Sequence, residues 1–395
     1  MVEQHGKTLV PQIRFAGFTD PWEQRKVGDF LSESRVKGNT GLNSRKLTVK
    51  LWGKGVIEKN DFGGSEHTQY FIRHKGQFIY SKLDFLNSAF GVIPEKLDGY
   101  ESTADLPAFD LVEMNPHFMF FTAVQEGFYL KHGSAADGSR KAKRIHVNTF
   151  LEMPIMVPTV AEQDFIVEYL QSLDCLITLH QRKYDKLCVL KKSMLDKMFP
   201  KGGSLYPEIR FAGFADPWEQ RKLGEVANVC SGRDYKHLAE GPIPVYGTGG
   251  YMTSVSKALS YDEDAIGIGR KGTIDKPYRL RAPFWTVDTL FYAIPEASLD
   301  INFLLCSFLN VDWKSKDEST GLPSLSKRAI NETEVLVPDI GEQRRIGAFF
   351  DRLDSLITLH QRKYCGVASW MLGAALVRLG SESDGAFGEM KHVLR

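Results

Sequence analysis

Cysteine is scarce and scattered in this sequence. Five occur in 395 residues (Cys175, Cys188, Cys230, Cys306, Cys365), with no CxxC pair and no Cys/His spacing of a zinc site. Neither a disulfide framework nor a zinc module is indicated, and the thiols are expected to be reduced and structural. No apolar run reaches membrane-spanning length, and the opening MVEQHGKTLV has no apolar signal core, so the expected location is the cytoplasm. Neither sign of charge is in excess: 50 Lys and Arg stand against 49 Asp and Glu, a formal net charge of +1. A diffuse basic field cannot then hold nucleic acid alone, and any contact has to come from local patches or be shared with a partner. The histidines form no HExxH motif and no cluster with Asp or Glu, and no Ser or Cys nucleophile motif occurs. The chain offers no self-contained catalytic site, no metal site and no cofactor site.

What the sequence does have is a sentence written twice. Residues 11–26 read PQIRFAGFTDPWEQRK and residues 207–222 read PEIRFAGFADPWEQRK. A second phrase, LDCLITLHQRKY at 173–184, returns as LDSLITLHQRKY at 353–364. The offsets are 196 and 180 residues, so the first insert is 16 residues longer than the second and a short-period solenoid is excluded. Two near-identical frames around unlike inserts imply one kind of partner met twice and two different targets read once each. The boundaries follow: a first globular domain over 1–157, a long helix over 158–200, a second domain over 201–337, and a second helix over 338–380.

Both helices have a start signal. Thr159-Val-Ala-Glu162 and Asp339-Ile-Gly-Glu342 are capping boxes, each following a proline. Apolar residues then fall at heptad spacing. Leu170, Ile177 and Tyr184 form one register and Leu173, His180 and Leu187 the other; Phe350, Ile357, Tyr364 and Leu353, His360 repeat the pattern. The first helix can run to Phe199, roughly 60 Å at 1.5 Å per residue. A helix of that length needs a partner, and the other copy is the obvious one. His180 and His360 occupy matching positions, but antiparallel helices do not require them to meet. The inserts read as mixed α+β globules. Short β-branched and aromatic runs lie at 45–60, 76–94, 242–251, 263–272 and 284–295, and 301–310 reads as helix.

Two motifs tempt. Gly267-Ile-Gly269-Arg-Lys-Gly272 fits GxGxxG, but the continuation through Pro277 is not a helix, so a tight basic turn after a strand is the better reading. Asn115-Pro-His-Phe118 is one residue from the Asn-Pro-Pro-Phe signature of adenine methyltransferases. It lacks the second proline and any methyl-donor fingerprint, and reads as a chance match.

The paired phrases IRFAGF-DPWEQRK at 13–26 and 209–222, and EQ…LD-LITLHQRKY at 162–184 and 342–364, are similar to those of specificity (S) subunits of type I restriction–modification systems. The insert segments Phe78-Ile-Tyr-Ser-Lys82 and Pro244-Val-Tyr-Gly-Thr-Gly-Gly250 resemble pieces of that family's target-recognition domains. The resemblance spans residues 11 to about 364. It implies an α+β fold with a pseudo-two-fold repeat: two target-recognition domains separated by two long antiparallel helices that form a coiled coil. It implies a non-catalytic, cofactor-free subunit that reads a bipartite site in double-stranded DNA. It further implies docking of two copies of a modification methyltransferase subunit and a restriction motor/nuclease subunit. The candidate DNA-binding residues are then the basic and small polar ones among the insert loops. In the first insert these are Arg35, Asn43, Arg45, Lys50, Tyr80, Ser81 and Lys82. In the second they are Tyr246, Thr248, Arg270, Lys271, Thr273, Lys276 and Arg279. The half-sites and spacer are not legible, because recognition loops carry no transferable code.

After Tyr364 the second helix departs from its template. Cys365-Gly-Val-Ala-Ser-Trp-Met replaces Asp185-Lys-Leu-Cys-Val-Leu-Lys, and the break is abrupt, as a frameshift, a recombination or an artificial junction would leave it. Residues 381–395 are expected to be disordered. Two rival readings are a self-sufficient adenine methyltransferase, resting on the imperfect Asn115 motif, and a dimerising scaffold that never reads DNA.

Overall fold

The computed structural model describes residues 11, 14–41, 43–59, 65–133 and 144–377, with the side chains of 364–377 excepted. The tail 381–395 and the side chain of Tyr364 therefore lie outside the described residues. Two compact units divide the chain. One comprises the residues up to Thr178 together with those from Cys365, and the other is Leu179–Tyr364. Among the described residues no helix is long and apolar enough to cross a membrane, and Cys175, Cys188, Cys230 and Cys306 are free thiols.

In the first unit β1 (Glu23–Lys26) precedes β2 (Leu31–Ser34), β3 (Lys37–Thr40), β4 (Leu47–Val49), β5 (Val56–Glu58) and β6 (Gln69–Ile72). The chain continues through β7 (Phe78–Tyr80), β8 (Phe90–Val92), β9 (Glu101–Ser102) and β10 (Ala108–Leu111). Helices α1 (Pro116–Ala123), α2 (Glu126–Gly133) and α3 (Val147–Leu151) follow, and β11 (Pro154–Val157) leads into α4 (Val160–Lys197). The second unit has β12 (Glu219–Lys222), α5 (Leu223–Val226), β13 (Ala227–Ser231), β14 (Ile243–Gly247), β15 (Gly250–Val255) and β16 (Ala265–Gly269). It ends with β17 (Tyr278–Leu280), β18 (Trp285–Thr286), β19 (Leu290–Pro295), α6 (Ile301–Asn310), α7 (Lys327–Asn331), β20 (Glu334–Val337) and α8 (Ile340–Val377).

The inserts differ in sequence but share a sheet. The main sheet of the first has the order β2-β10-β7-β8 and that of the second β13-β19-β16-β17. In chain order both are first, fourth, second, third. Each core is aromatic. Phe150 meets Phe78, Tyr80 and Phe109 with ring centroids 5.9, 4.6 and 5.5 Å away. In the second unit Phe303 of α6 packs on Phe199 at 5.5 Å and on Trp218 at 5.7 Å. The end of α4 and the repeated phrase are thereby built into the second core.

The repeated phrase closes onto the start of each long helix. Strand β1 pairs with β11, Glu23 opposite Val157; β12 pairs with β20 in the same register, Glu219 opposite Val337. Arg14 grips Glu162 with Nε at 2.9 Å and Nη2 at 2.6 Å, and also donates to the Asp20 carbonyl. Arg210 does the same to Glu342 at 2.8 and 2.7 Å, and to the Asp216 carbonyl. The two carboxylates are 1% and 0% exposed. The next residue is also used twice: Gln163 Oε1 accepts from the Asn115 amide, and Gln343 Oε1 from the Asp300 amide. These contacts correct the capping boxes. Thr159 and Asp339 do cap the amides of Glu162 and Glu342, but the glutamate side chains turn to the arginines, because a bidentate guanidinium outcompetes a single backbone amide.

In the second unit the last turns of α4 run antiparallel to α8. Leu187 and Met194 pack on the core that holds Phe350 and Leu353, and Lys191 pairs with Asp354 at 2.6 Å. The histidines, which antiparallel helices did not require to meet, do so: His180 Nδ1 lies 2.9 Å from His360 Nδ1. Antiparallel copies bring equivalent residues together at one point only, and this pair occupies it. The ring centroids are 5.2 Å apart, so the two ring axes run nearly in line through both nitrogens. That is the geometry of a shared proton, not of two ligands bent toward a metal. Among the described residues no group of three or more His, Cys, Asp or Glu gathers around a metal position.

Two outcomes follow from these contacts. Arg210→Ala strands the buried Glu342 carboxylate and should destabilise the second unit by on the order of 3 kcal/mol. Arg14→Ala should act in the same direction on the first unit, with thermal unfolding as the measurement and wild-type midpoints as the contrary result. The histidine pair gives a pH dependence. Desolvation first, then the charges of His180, Lys183 and Lys363, hold the His360 imidazole below its usual value. Its contribution is thus complete above the ordinary histidine pKa of about 6.5. It declines as pH falls below that value and through the lower folded-state one, because a charged His360 ring is poorly solvated and faces the cations Lys183 and Lys363. The thermal midpoint should fall between pH 7.5 and pH 5, and the His180→Leu/His360→Leu double variant should lose much of that slope.

Candidate nucleic-acid interface

In the first unit the predicted residues separate into surface and core. Asn43 and Lys50 are exposed. Arg35 is exposed but paired with Glu33 at 2.8 Å. Arg45 lies over the Tyr100 ring at 4.2 Å and donates to its hydroxyl at 2.8 Å, so its guanidinium is held flat at the surface. Tyr80 and Ser81 are corrections. Tyr80 is 0% exposed in the aromatic core, and its hydroxyl donates to the Ile145 carbonyl; burial raises its pKa far above the usual tyrosine range. Ser81 is buried and exchanges hydrogen bonds with Asp84. The segment at 78–82 is a core strand and its turn, and half-buried Lys82 has its amide tied to the Asp105 carbonyl.

The second unit splits in the same way. Strands β14 and β15 form a hairpin tipped by Thr248 and Gly249. Tyr246 stands between Tyr251 and Tyr278, with centroids 6.4 and 6.2 Å away, and the Tyr278 hydroxyl donates to the Gly247 carbonyl at 2.6 Å. Tyr251 is exposed, giving the hairpin an aromatic outer edge. The GxGxxG segment is the basic turn that its sequence suggests. A Cβ on Gly269 would lie 2.0 Å from the Thr273 carbonyl oxygen, and Gly272 has φ +87°. The glycines thus serve the turn, and Arg270, Lys271 and Lys276 project from it exposed. Arg270 also lies over the Phe291 ring at 5.7 Å. Arg279 is a correction. Its guanidinium is taken by Asp264 at 2.6 Å and Asn302 at 2.7 Å, tying β17 to α6. Burial pushes the Asp264 carboxyl up, but the Ala282 amide and Arg279 outweigh it and hold it below its usual value.

The Asn115 motif has a structural job. The Asn115 side chain caps α1, accepting from the amides of His117 and Phe118, and its Nδ2 donates to Asp164. Its side chain is thereby engaged within the fold. Two residues escaped the sequence reading. Arg73 is buried and bonds Ser102 Oγ and the Ser34 and Leu106 carbonyls, with desolvation lowering its pKa to about 10. Nothing in its surroundings distinguished it from a surface arginine. Trp52 is an exposed tryptophan in the β4–β5 turn, between Lys50 and Lys54.

Comparison with known proteins agrees with this architecture. Residues 215–367 match the family model described as the type I restriction modification DNA specificity domain. The chain is 25% identical over 245 residues to the specificity subunit of type I restriction enzyme MjaVIII from Methanocaldococcus jannaschii, a match covering 55% of this chain and 52% of that protein. It thus spans about half the length of that relative. It is 26% identical over 103 residues to the C-terminal part of a putative type I specificity subunit from Mycoplasma pneumoniae, covering 26% of this chain and 70% of that one. The crystal structure of a type I restriction–modification S subunit from M. genitalium has the same fold, with a TM-score of 0.56 over 94% of this chain and all of that one, at 15% identity. In its twice-written frame, the sheet order common to both inserts and the specificity-domain match over residues 215–367, the chain is similar to type I restriction–modification specificity subunits.

Proposed function

We propose that this protein is the DNA-reading subunit of a type I restriction–modification complex, with each insert recognising one half of a bipartite target. The observation that carries this reading is the pairing of like frames with unlike surfaces. The same clamp and sheet order support both inserts. One insert presents Arg45 and Lys50, the other the Tyr246 hairpin and the Arg270–Lys271 turn. Such side chains are suited to phosphates and base edges, and different sets read different sequences. The subunit itself carries no catalysis; methyl transfer and cleavage belong to its partners.

The constant part is the dock. Leu176 and Leu179 on α4 and their counterparts Leu356 and Leu359 on α8 are exposed. An apolar pair left outward on both copies of one phrase suits the same partner twice, and two modification subunits are the occupants we assign. A restriction subunit would join that assembly. The near-balance of charge is consistent with partners sharing the grip on the phosphates.

The test is methylome sequencing of cells expressing this chain with its modification partner. The expected result is adenine methylation within one bipartite motif of two unlike half-sites and a fixed spacer. Methylation at a continuous motif, or without sequence preference, would contradict the reading.

A further inference from the structure

The turn joining β4 to β5 carries Lys50-Leu-Trp52-Gly-Lys54-Gly55. Trp52 has φ 60°, in the left-handed region that bulky residues rarely enter. Gly53 and Gly55 share that region at φ 63° and 76°. The backbone is pinned there from two sides. The Trp52 amide donates to the Asn87 carbonyl and the Gly53 amide to the Ser88 carbonyl, both at 2.8 Å. On the other side, a Cβ at Gly53 would sit 3.1 Å from Val124 Cγ1, beyond the end of α1. Yet Trp52, whose indole could stabilise the domain by burial, is 60% exposed. A turn needing only left-handed geometry is met most easily by glycine or asparagine. Neither packing nor turn chemistry therefore accounts for tryptophan here. A rigid backbone presents a large flat apolar surface to solvent, with the exposed cations Lys50 and Lys54 two residues to either side.

Resting on the reading of the first insert as a DNA reader, we infer that Trp52 is a specificity-determining residue for the first half-site. Its indole makes an apolar contact to the bases, and Lys50 and Lys54 hold the flanking phosphates. Apolar side chains read thymine methyls or wedge between base steps, and aromatic rings stack on bases. Lysines two positions away on both sides suit the phosphates bordering such a contact.

The test uses the full complex with its modification subunit, and binding to three duplexes: the methylated motif, one with the first half-site scrambled, and one with the second scrambled. Trp52→Ala should weaken binding to the intact motif by about 10-fold, the worth of one aromatic–base contact, and change binding little where the first half-site is already scrambled. Trp52→Gly, which removes the indole and relieves the left-handed strain, should show the same binding loss with an equal or higher unfolding midpoint. A Lys50→Ala/Lys54→Ala double variant should weaken all three duplexes alike. The assignment is overturned if both Trp52 variants bind the intact motif as tightly as the parent, or if they lose affinity equally on all three duplexes. A parent complex that does not distinguish the three duplexes would instead defeat the DNA-reading function itself.

Discussion

Everything constant in this molecule hangs on one ion pair made twice. Arg14 on Glu162 and Arg210 on Glu342 are bidentate, nearly dry contacts between a loop and the first turn of a long helix. Each unites segments more than 130 residues apart in sequence. A buried carboxylate without its guanidinium is strongly unfavourable, so each pair fixes where its globule ends and its helix begins. The neighbouring glutamine fastens a second helix, α1 or α6, to the same turn. Because these contacts return with the same atoms and nearly the same distances, the two inserts start from the same geometry.

That constraint explains how unlike sequences can share a sheet. An insert that must leave β1 or β12 and return on β11 or β20 has its two ends fixed side by side. Within those limits the first-fourth-second-third strand order holds both times, with different aromatics filling the core. The exposed basic and aromatic side chains that differ between the inserts lie in turns and on the outer residues of short strands. There the first insert places the Arg45–Tyr100 stack and Trp52, and the second its tyrosine hairpin and the Arg270 turn. On the proposed function, stability and recognition are carried by separate residues, so that one can change without the other.

The repeated phrases, the helix starts and the α6 segment were legible because they rest on local rules: capping, heptad spacing and apolar runs. Helix α8 extends to Val377 despite the changed sequence after Tyr364. What local rules could not provide was the partner of each polar group. Glu162 and Glu342 looked like capping-box residues because Arg14 and Arg210 lie so far away in sequence. Tyr80 and Ser81 looked like surface polar residues in Phe-Ile-Tyr-Ser-Lys, whereas all three residues of β7 are buried. Arg279 looked like one more loop cation, but Asp264 and Asn302 occupy it. Trp52 went unnoticed because an aromatic between Leu51 and Gly53 gives no sign of which way it points. Side-chain direction at a turn depends on φ, and φ was set here by carbonyls of the 84–89 turn.

The central claim is that the clamps and helices are interchangeable frames and the inserts alone carry sequence choice. The most direct measurement replaces residues 27–153 with residues 223–333, so that both clamps hold the second insert, and sequences the methylome of cells carrying that chain with its modification partner. The account predicts a target composed of the second half-site twice, with the first half-site gone. A methylated target that keeps the first half-site would contradict it, since the choice would then reside in the frame.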